Sequence, residues 1–318
     1  MAKAQESVKS STPASESPQY STRFIFARLL ILQYLTQYVS ICIMNIPYTD
    51  YQMHIDIIKA TELATWLLSR GTSSITTHEI ASLLGVPKNQ VPQRLAPLKR
   101  RGEIVQLAKG LWAPVPPEYL TWGAPPAIDV IDALMRYVSV HYYVGWLSAA
   151  ELHGASHHAP QVFQVAVSRA IRQRKIGRSN FCFFFRDHIH LATTVNMESK
   201  NGAVPVSSRE TTMLDIVSDI ECIGGIDNAA NIIIELCEAS APDFAVINEL
   251  SSHYPMSAIR RLGFLLEHFT DTSELELLRT ISENSNTTVS LLDPQSDNIG
   301  SIDKHWRLKI NKEVSPDI

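Results

Sequence analysis

The segment from Ser74 to Pro114, SITTHEIASLLGVPKNQVPQRLAPLKRRGEIVQLAKGLWAP, constrains the fold of this chain more than any other. Thr76 can cap a helix that carries Glu79 in its first turn, where a carboxylate is stabilised by the helix dipole. Gly85 is suited to end that helix, and Pro87 favours a tight turn after it. The apolar stripe of the helix has i, i+3, i+4 spacing and consists of Ile80, Leu83 and Leu84.

A second helix is predicted to open at Lys88. Pro92 is tolerated because it lies in the first turn, whereas Pro97 is expected to kink or shorten the helix. Gly102 suits a left-handed cap. The residues predicted to face the core are Val91, Leu95 and Leu98.

Two strands follow, over residues 103–107 and 111–113, with 108–110 as the tip of a wing. A preceding helix is predicted over residues 55–70. Residues 53–117 are therefore predicted to form a winged helix-turn-helix domain that binds DNA. This segment holds eight lysines and arginines against four acidic residues, although the formal net charge of the chain is -4. The alternative is a winged helix that contacts only protein and whose basic residues are a solvated face.

The first turns of a recognition helix reach base edges, and its amide and guanidinium groups match adenine and guanine. Base contacts are therefore predicted for Lys88, Asn89, Gln90, Gln93 and Arg94. Phosphate contacts are predicted for Lys99, Arg100, Arg101 and the wing residue Lys109, and Thr77 completes the predicted DNA-binding set.

A proline-rich connector precedes a second predicted domain over residues 127–312. The fold class is predicted as α+β, a winged helix-turn-helix followed by a mixed α/β domain with a small sheet and a helical C-terminal part. Strands are predicted over 161–167, 181–186, 188–194, 203–206, 289–292 and 306–310. Helices are predicted over 127–153 (two of them), after the capping signal at 207–210, and over 227–239, 243–252 and 255–269.

Five cations without an intervening acid crowd the hairpin predicted between residues 161–167 and 181–186: Arg169, Arg172, Arg174, Lys175 and Arg178. They predict a second anion-binding surface, for DNA phosphate or for an acidic partner. A solvated loop is the alternative.

The N-terminal residues pose a separate question. Residues 1–22 have the composition of a disordered tail, and residues 23–52 form an apolar extension. The run over 24–46 leaves three options: a membrane anchor, a buried or dimer-forming helix, or untranslated sequence if the start is Met44 or Met53 rather than Met1. A cytoplasmic protein without membrane association is expected, and Cys182 and Cys222 are expected to be buried thiols.

No catalytic residue, metal site or cofactor is predicted. His153 and His157 are four apart, but Gly154 breaks the helix between them and no acidic third ligand follows. Asp187 and Glu198 resemble a nuclease pair only superficially, because a catalytic lysine at a suitable spacing is missing. A nuclease guided by the winged helix is kept as an alternative function.

Several blocks, in their order along residues 55–312, resemble the AbiEi family of antitoxins from type IV toxin–antitoxin systems. After the winged helix these blocks are YYVGWLSAAELHGASHHAPQVFQVAV, SSRETTMLDIV, IGGIDNAANIIIEL, SAIRRLGFLLEHF and KHWRLKIN. The resemblance implies an N-terminal domain that represses its own operon by binding inverted repeats. It also implies a C-terminal domain that opposes a nucleotidyltransferase-like toxin without forming a stable complex with it.

The function expected is therefore a non-enzymatic, autorepressing antitoxin whose partner is double-stranded promoter DNA; self-association on DNA stays open. A ligand-sensing transcription factor without a toxin is the alternative in the same class.

Overall fold

The computed structural model describes residues 57–155 and 161–317, which form three sheets with helices packed around them. The α-helices are α1 (Leu63–Ser69), α2 (Thr77–Leu84), α3 (Val91–Arg100), α4 (Ala127–Val138), α5 (Trp146–Leu152), α6 (Arg209–Ser218), α7 (Ile226–Ala239), α8 (Phe244–Ser251), α9 (Met256–Phe269) and α10 (Glu276–Asn284). The strands are β1 (Ile75–Thr76), β2 (Ile104–Ala108), β3 (Leu111–Pro114), β4 (Tyr142–Val144), β5 (Val162–Val167), β6 (Arg174–Ile176), β7 (Ser179–Phe185), β8 (Thr194–Ser199), β9 (Gly202–Ser207), β10 (Ser290–Leu291), β11 (Ser301–Asp303) and β12 (Leu308–Ile310).

The predictions for residues 1–22 and 23–52, for the start site and for His157 fall outside the described residues. No helix within the described ranges is both long and apolar enough to span a bilayer.

Residues 57–115, the three-helix segment, pack α1, α2 and α3 around one apolar core against an antiparallel sheet of order β1–β3–β2. The buried side chains include Leu63, Leu67, Ile80, Leu84, Val91, Leu95, Leu98 and Trp112. The three residues predicted to face inward from the second helix are thus confirmed as buried.

Local capping signals determine where α2 begins and ends. The Thr76 hydroxyl accepts a hydrogen bond from the Glu79 N–H (3.3 Å), and the Glu79 carboxylate accepts one from the Thr76 N–H (2.8 Å). Gly85 closes the helix in the left-handed conformation, with φ +61°. The helix predicted to open at Lys88 starts instead as a 3₁₀ turn over Lys88–Gln90, and its α-helical part continues past Pro97 to Arg100 without shortening.

The β2–β3 hairpin joins a second core as well as its own. Its residues Leu107, Ala108 and Leu111 pack in one cluster with α4 and the largest sheet. Two side chains from outside the three-helix segment also hold the hairpin. The Tyr137 hydroxyl on α4 donates to the Lys109 carbonyl (3.0 Å), and Arg174 Nη1 on β6 donates to the Leu107 carbonyl (3.0 Å). The hairpin is therefore fixed to the rest of the protein by apolar packing and by hydrogen bonds.

The largest sheet has the order β6–β7–β5–β4–β9–β8. Strands β5 and β7 are parallel, as are β4 and β9, and the other neighbours are antiparallel. The hairpin predicted between residues 161–167 and 181–186 is therefore wrong. Because two parallel strands cannot be joined by a tight turn, the connection crosses over and contributes β6 as an edge strand.

The strand predicted over 188–194 is also wrong, since Ile189–Leu191 form a 3₁₀ turn and β8 starts only at Thr194.

A buried carboxylate ties α6 to the sheet. Asp215 is completely buried and accepts hydrogen bonds from the hydroxyls of Tyr143 (3.0 Å) and Tyr254 (2.9 Å). Arg186 contacts Asp215 (3.5 Å) and pairs with Asp219 one helical turn later. Burial raises the pKa of Asp215 to about 6, and the cation and the two hydroxyls partly offset that rise. This network fixes how the helices dock on β4 and β7, although the buried Arg186 Nε has no hydrogen-bond partner among the described residues.

The C-terminal sheet, of order β10–β12–β11, docks on α9 through Trp306 and through Arg261, whose Nε donates to the carbonyls of Leu291 and Leu292 (3.1 Å each). Trp306 is fully buried, and its ring lies directly against the backbone of Gly263 in the middle of α9. A Cβ atom at position 263 would overlap that ring. The indole N–H of Trp306 also contacts Glu267, one turn further along α9.

Gly263→Ala tests this packing because two effects have opposite signs. Helix propensity alone would stabilise the protein by about 1 kcal/mol. Overlap with the Trp306 ring is expected to cost more, so that the free energy of unfolding falls by about 1–3 kcal/mol. Urea denaturation measures the difference, with Asn248→Ala at an exposed position of α8 as the control, expected within about 0.5 kcal/mol of wild type. A Gly263→Ala protein as stable as wild type or more stable would contradict the packing.

Candidate nucleic-acid interface

The polar residues of α3 and of the turn before it lie on the surface that faces away from the core. Those described as exposed are Lys88, Asn89, Gln90, Gln93, Arg94, Lys99 and Arg100. The helix presents only Val91, Leu95 and Leu98 to the interior, so its whole outer side is available for contacts.

Three of these side chains come together. Gln90, Gln93 and Arg94 line a depression of about 490 Å³ between α3 and the turn at Ala60–Glu62. Among the described residues, none of these three side chains has a hydrogen-bond or ion-pair partner. Two amides and one guanidinium are thus gathered with their donors and acceptors free.

Two predicted DNA-binding residues have partners within the protein instead. The Thr77 hydroxyl accepts a hydrogen bond from the Trp112 indole N–H (2.9 Å), which links α2 to β3. Arg101 forms a two-pronged pair with Glu103, with distances of 2.6 and 3.0 Å. This hydrogen-bonded pairing raises the pKa of Arg101 and lowers that of Glu103. A nucleic acid would have to compete with Glu103 for this cation.

Lys109 occupies the tip of the β2–β3 hairpin and is exposed. The hairpin is held from both sides, because the Gly110 carbonyl accepts from the Thr77 N–H (2.8 Å) and the Tyr137 hydroxyl bonds to the Lys109 carbonyl. Gly110 adopts φ +91°, and a Cβ there would meet the Tyr137 hydroxyl at 2.5 Å. The position of the Lys109 backbone is therefore well defined.

The five cations of residues 169–178 do not form one patch. Arg169 Nη2 donates to the Val138 carbonyl at the end of α4 (3.0 Å), and Arg174 reaches the Leu107 carbonyl of β2. Arg172, Lys175 and Arg178 are exposed. Two of the five thus also serve as braces between elements.

The structure places the tip of the β2–β3 hairpin beside β6. Lys109, Arg174 and Lys175 line one shallow depression of about 410 Å³, here called the basic depression. No acidic residue is among the described residues that line it. The two basic regions identified separately in the sequence therefore meet at this point of the surface.

The alternative catalytic residues are not brought together. Asp187 follows β7 and Glu198 lies on β8, and three strands separate these two in the sheet order. At about 4.8 Å per strand step, this separation is roughly 19 Å. His153 Nε2 donates to the Ser207 carbonyl (2.7 Å), and burial lowers the pKa of this histidine. Among the described residues, no group of histidines, cysteines and carboxylates is arranged to hold a metal ion.

The expectation for the cysteines is wrong in part. Cys182 is half-buried, but Cys222 is exposed because Ile220 and Ile223 take the inward positions of their 3₁₀ turn. Both are free thiols.

Sequence reasoning missed the side chains that hold the surface together. Nothing in the sequence distinguishes Tyr137, a partly exposed residue near the end of α4, as a brace for the hairpin. Asp215 did leave a signal, because an acid in the middle of an otherwise buried helix needs partners. Two tyrosines and an arginine supply them.

The comparisons with known proteins agree with this architecture. Residues 143–268 match the family model described as AbiEi antitoxin C-terminal domain. These residues run from β4 to the end of α9 and include the complete Asp215 network. No curated protein has a significantly similar sequence.

A solved structure shares the fold over most of the chain. The crystal structure of the RV2827C protein from Mycobacterium tuberculosis superposes with a TM-score of 0.59 and 16% sequence identity. The match covers 78% of this chain and 90% of that one. At this identity the likeness concerns the fold alone. Residues 143–268 of this chain are thus similar to the C-terminal domain of AbiEi antitoxins.

Proposed function

We propose that this protein is a non-enzymatic antitoxin that also represses its own operon. One observation carries the proposal: a region that matches the AbiEi antitoxin C-terminal domain shares an apolar core with a segment whose element order and exposed cations are typical of a DNA-binding winged helix. We assign DNA binding to residues 53–117 and the antitoxin role to residues 127–312. The protein is expected to act in the cytoplasm and to oppose a nucleotidyltransferase-like toxin of a type IV system, without a stable complex.

The arrangement of the three-helix segment supports a winged helix-turn-helix. Three helices alternate with a sheet of order β1–β3–β2, and a short turn through Pro87 joins α2 to α3. In this motif the second helix of the pair enters the major groove and the β2–β3 hairpin reaches the adjacent backbone. The exposure of the outer side of α3 and of Lys109 supports this mode of binding.

The free side chains of α3 supply the proposed sequence recognition. Gln90 and Gln93 have the paired donor and acceptor that adenine presents in the major groove, and Arg94 has the fork that guanine accepts. Lys88 and Asn89 lie in the turn just before them. Lys99 and Arg100, in the last turn of α3, are assigned to phosphates. Thr77 and Arg101 are the weaker candidates, since both already have internal partners.

The basic depression supports a longer contact with the duplex. Lys175 on β6 lies beside Lys109, and the Arg174 bond to Leu107 holds the two elements together. A phosphate backbone that meets the wing would therefore also meet a residue of the antitoxin domain. We propose DNA phosphate rather than an acidic protein as the partner of this second basic surface, because it continues the proposed DNA-binding side.

The nuclease alternative has little support, because its two carboxylates lie far apart in the sheet. No specific observation favours a ligand-sensing regulator over an antitoxin, whereas the family match favours the antitoxin.

Arg94→Ala tests sequence recognition. We expect the affinity for the duplex upstream of the protein's own gene to fall by about 1–3 kcal/mol, with a smaller loss on a scrambled duplex, because a bidentate base contact disappears. Quantitative gel shifts measure both affinities, and Lys304→Ala, an exposed cation far along the chain, is the control. Equal losses on both duplexes would show that Arg94 binds phosphate only.

The same variant separates the two proposed activities in cells. Full-length Arg94→Ala is expected to lose repression of a promoter reporter while it still restores growth when co-expressed with the proposed nucleotidyltransferase-like toxin. Failure of the wild-type protein to restore growth would contradict the antitoxin role, and unchanged repression by the variant would contradict the assignment of Arg94.

Lys109→Ala and Lys175→Ala test the basic depression. Each substitution is expected to weaken binding to all duplexes alike and to reduce the slope of log K against log salt by about 0.9, because one phosphate contact is lost. The double variant should show about twice the reduction. If only Lys109→Ala changes the slope, the duplex does not reach β6 and the second surface serves another purpose.

A further inference from the structure

A cleft of about 690 Å³ lies where the segment after β3 crosses the sheet. Three aromatic rings line it, from Tyr119, Trp122 and Phe163, together with the polar residues Arg178 and Asn180. We call it the aromatic cleft. Its volume lies within the range of ligand-binding sites.

Trp122 is held in an exposed position. It is 56% exposed, more than any other aromatic side chain among the exposed apolar residues described. Its carbonyl accepts from the Arg178 N–H (2.9 Å), and its N–H donates to the Tyr119 carbonyl (3.0 Å). Gly177 makes this close approach possible, because a Cβ there would collide with the Trp122 backbone. These contacts fix the backbone of Trp122, and its half-exposed indole in the cleft offers an aromatic surface on which a planar ring can stack.

The polar side chains of the cleft are free to meet a ligand. Among the described residues, neither Arg178 nor Asn180 has a side-chain partner, and the same holds for Gln161 and Glu151 at the rim. A second cation is close, since the Lys200 ammonium lies 4.9 Å from the centre of the Tyr119 ring, but it is already paired with Glu118 (3.3 Å). Glu151 is partly buried, which raises its pKa. The cleft thus combines aromatic rings that can stack on a planar ligand with the Arg178 guanidinium, which can bind an anionic group. The amides of Asn180 and Gln161 can hydrogen-bond to the polar edge of the same ligand.

The cleft continues the basic depression. Lys175 and Asn180 are register partners in the β6–β7 pair, so their side chains share one face of the sheet. Lys175 lines the basic depression with Lys109, and Asn180 lines the aromatic cleft. Cations therefore line both the basic depression and the neighbouring aromatic cleft. Cations along a backbone path, with aromatic rings beside them, are the pattern that binds single-stranded nucleic acid.

We infer that the aromatic cleft binds one unpaired nucleotide of a nucleic-acid strand, with its base stacked on Trp122 and its phosphate at Arg178. This inference rests on the proposed function, because the strand is guided by the same cations that are assigned to DNA. A paired base is shielded by its neighbours in the stack, so the ligand is a nucleotide outside a duplex. DNA and RNA share this chemistry, and the test distinguishes them.

The test uses the full-length protein with fluorescently labelled ten-nucleotide oligothymidine and oligouridine, neither of which forms a duplex. Trp122→Ala is expected to weaken binding of the preferred strand on the order of 5- to 150-fold, and Trp122→Phe, which keeps a stacking face, should retain most of the affinity. Phe185→Ala is the matched control, because Phe185 is 53% exposed at the other end of β7 and does not line the cleft. Affinity of Trp122→Ala for the promoter duplex should stay within about twofold of wild type.

The outcomes separate this inference from the proposed function. If the wild-type protein binds its promoter duplex but neither oligonucleotide, the inference is overturned and the proposed function stands. If it binds neither duplex nor single strand, both fail. Equal losses on duplex and single strand for Trp122→Ala, or a loss for Trp122→Phe as large as that for Trp122→Ala, would also overturn it. Preferential binding of one oligonucleotide supports the inference and shows whether the cleft takes a strand of DNA or of RNA.

Discussion

The packing of the β2–β3 hairpin against α4 and the six-stranded sheet is the constraint on which the rest of the structure depends. Leu107, Ala108 and Leu111 take part in the core of the large sheet, although they belong to the hairpin of the three-helix segment. The hydrogen bonds from Tyr137 and Arg174 to hairpin carbonyls add direction to this apolar contact. Burying the hairpin in this way removes the freedom that a flexible linker would leave between two domains. The described residues accordingly form one compact unit.

This constraint decides which residues can act together. Because β6 is locked beside the hairpin, Lys109 and Lys175 share a surface although they are distant in sequence. Gly177 then brings the β6–β7 turn against Trp122, so the same surface extends to the aromatic cleft. On the other side of the sheet, the Asp215 network sets the position of α6 and of the helices behind it. The proposed DNA contacts and the region that matches the antitoxin family model therefore belong to one packed unit, and the division at residues 117–127 is a proposal about function.

Local signals in the sequence predict most helices and strands of this fold, whereas contacts between residues distant in sequence could not be predicted. The caps of α2 follow from Thr76, Glu79 and Gly85 because those interactions span only a few residues. Strand β4 was missed because it has only three residues between two helices, and β6 because an edge strand in a crossover leaves no regular pattern. The meeting of Arg174 with Leu107 depends on how separate elements pack, which no periodicity encodes. The exposed cations of α3 were identified from the sequence. The internal partners of two other predicted DNA contacts were not: Glu103 pairs with Arg101, and the Trp112 indole bonds to Thr77.

Hydrogen–deuterium exchange of the full-length protein, free and bound to its own promoter duplex, tests the central claim most directly. If the wing and β6 form one surface against DNA, binding should slow exchange in three separate stretches, residues 88–100, 107–111 and 172–178, with the largest effect in the first. The helices α7 to α10 should exchange at the same rate in both states, which provides an internal control. Protection confined to residues 88–100 would contradict the composite surface, and no protection in any of the three stretches would contradict DNA binding through this side of the protein.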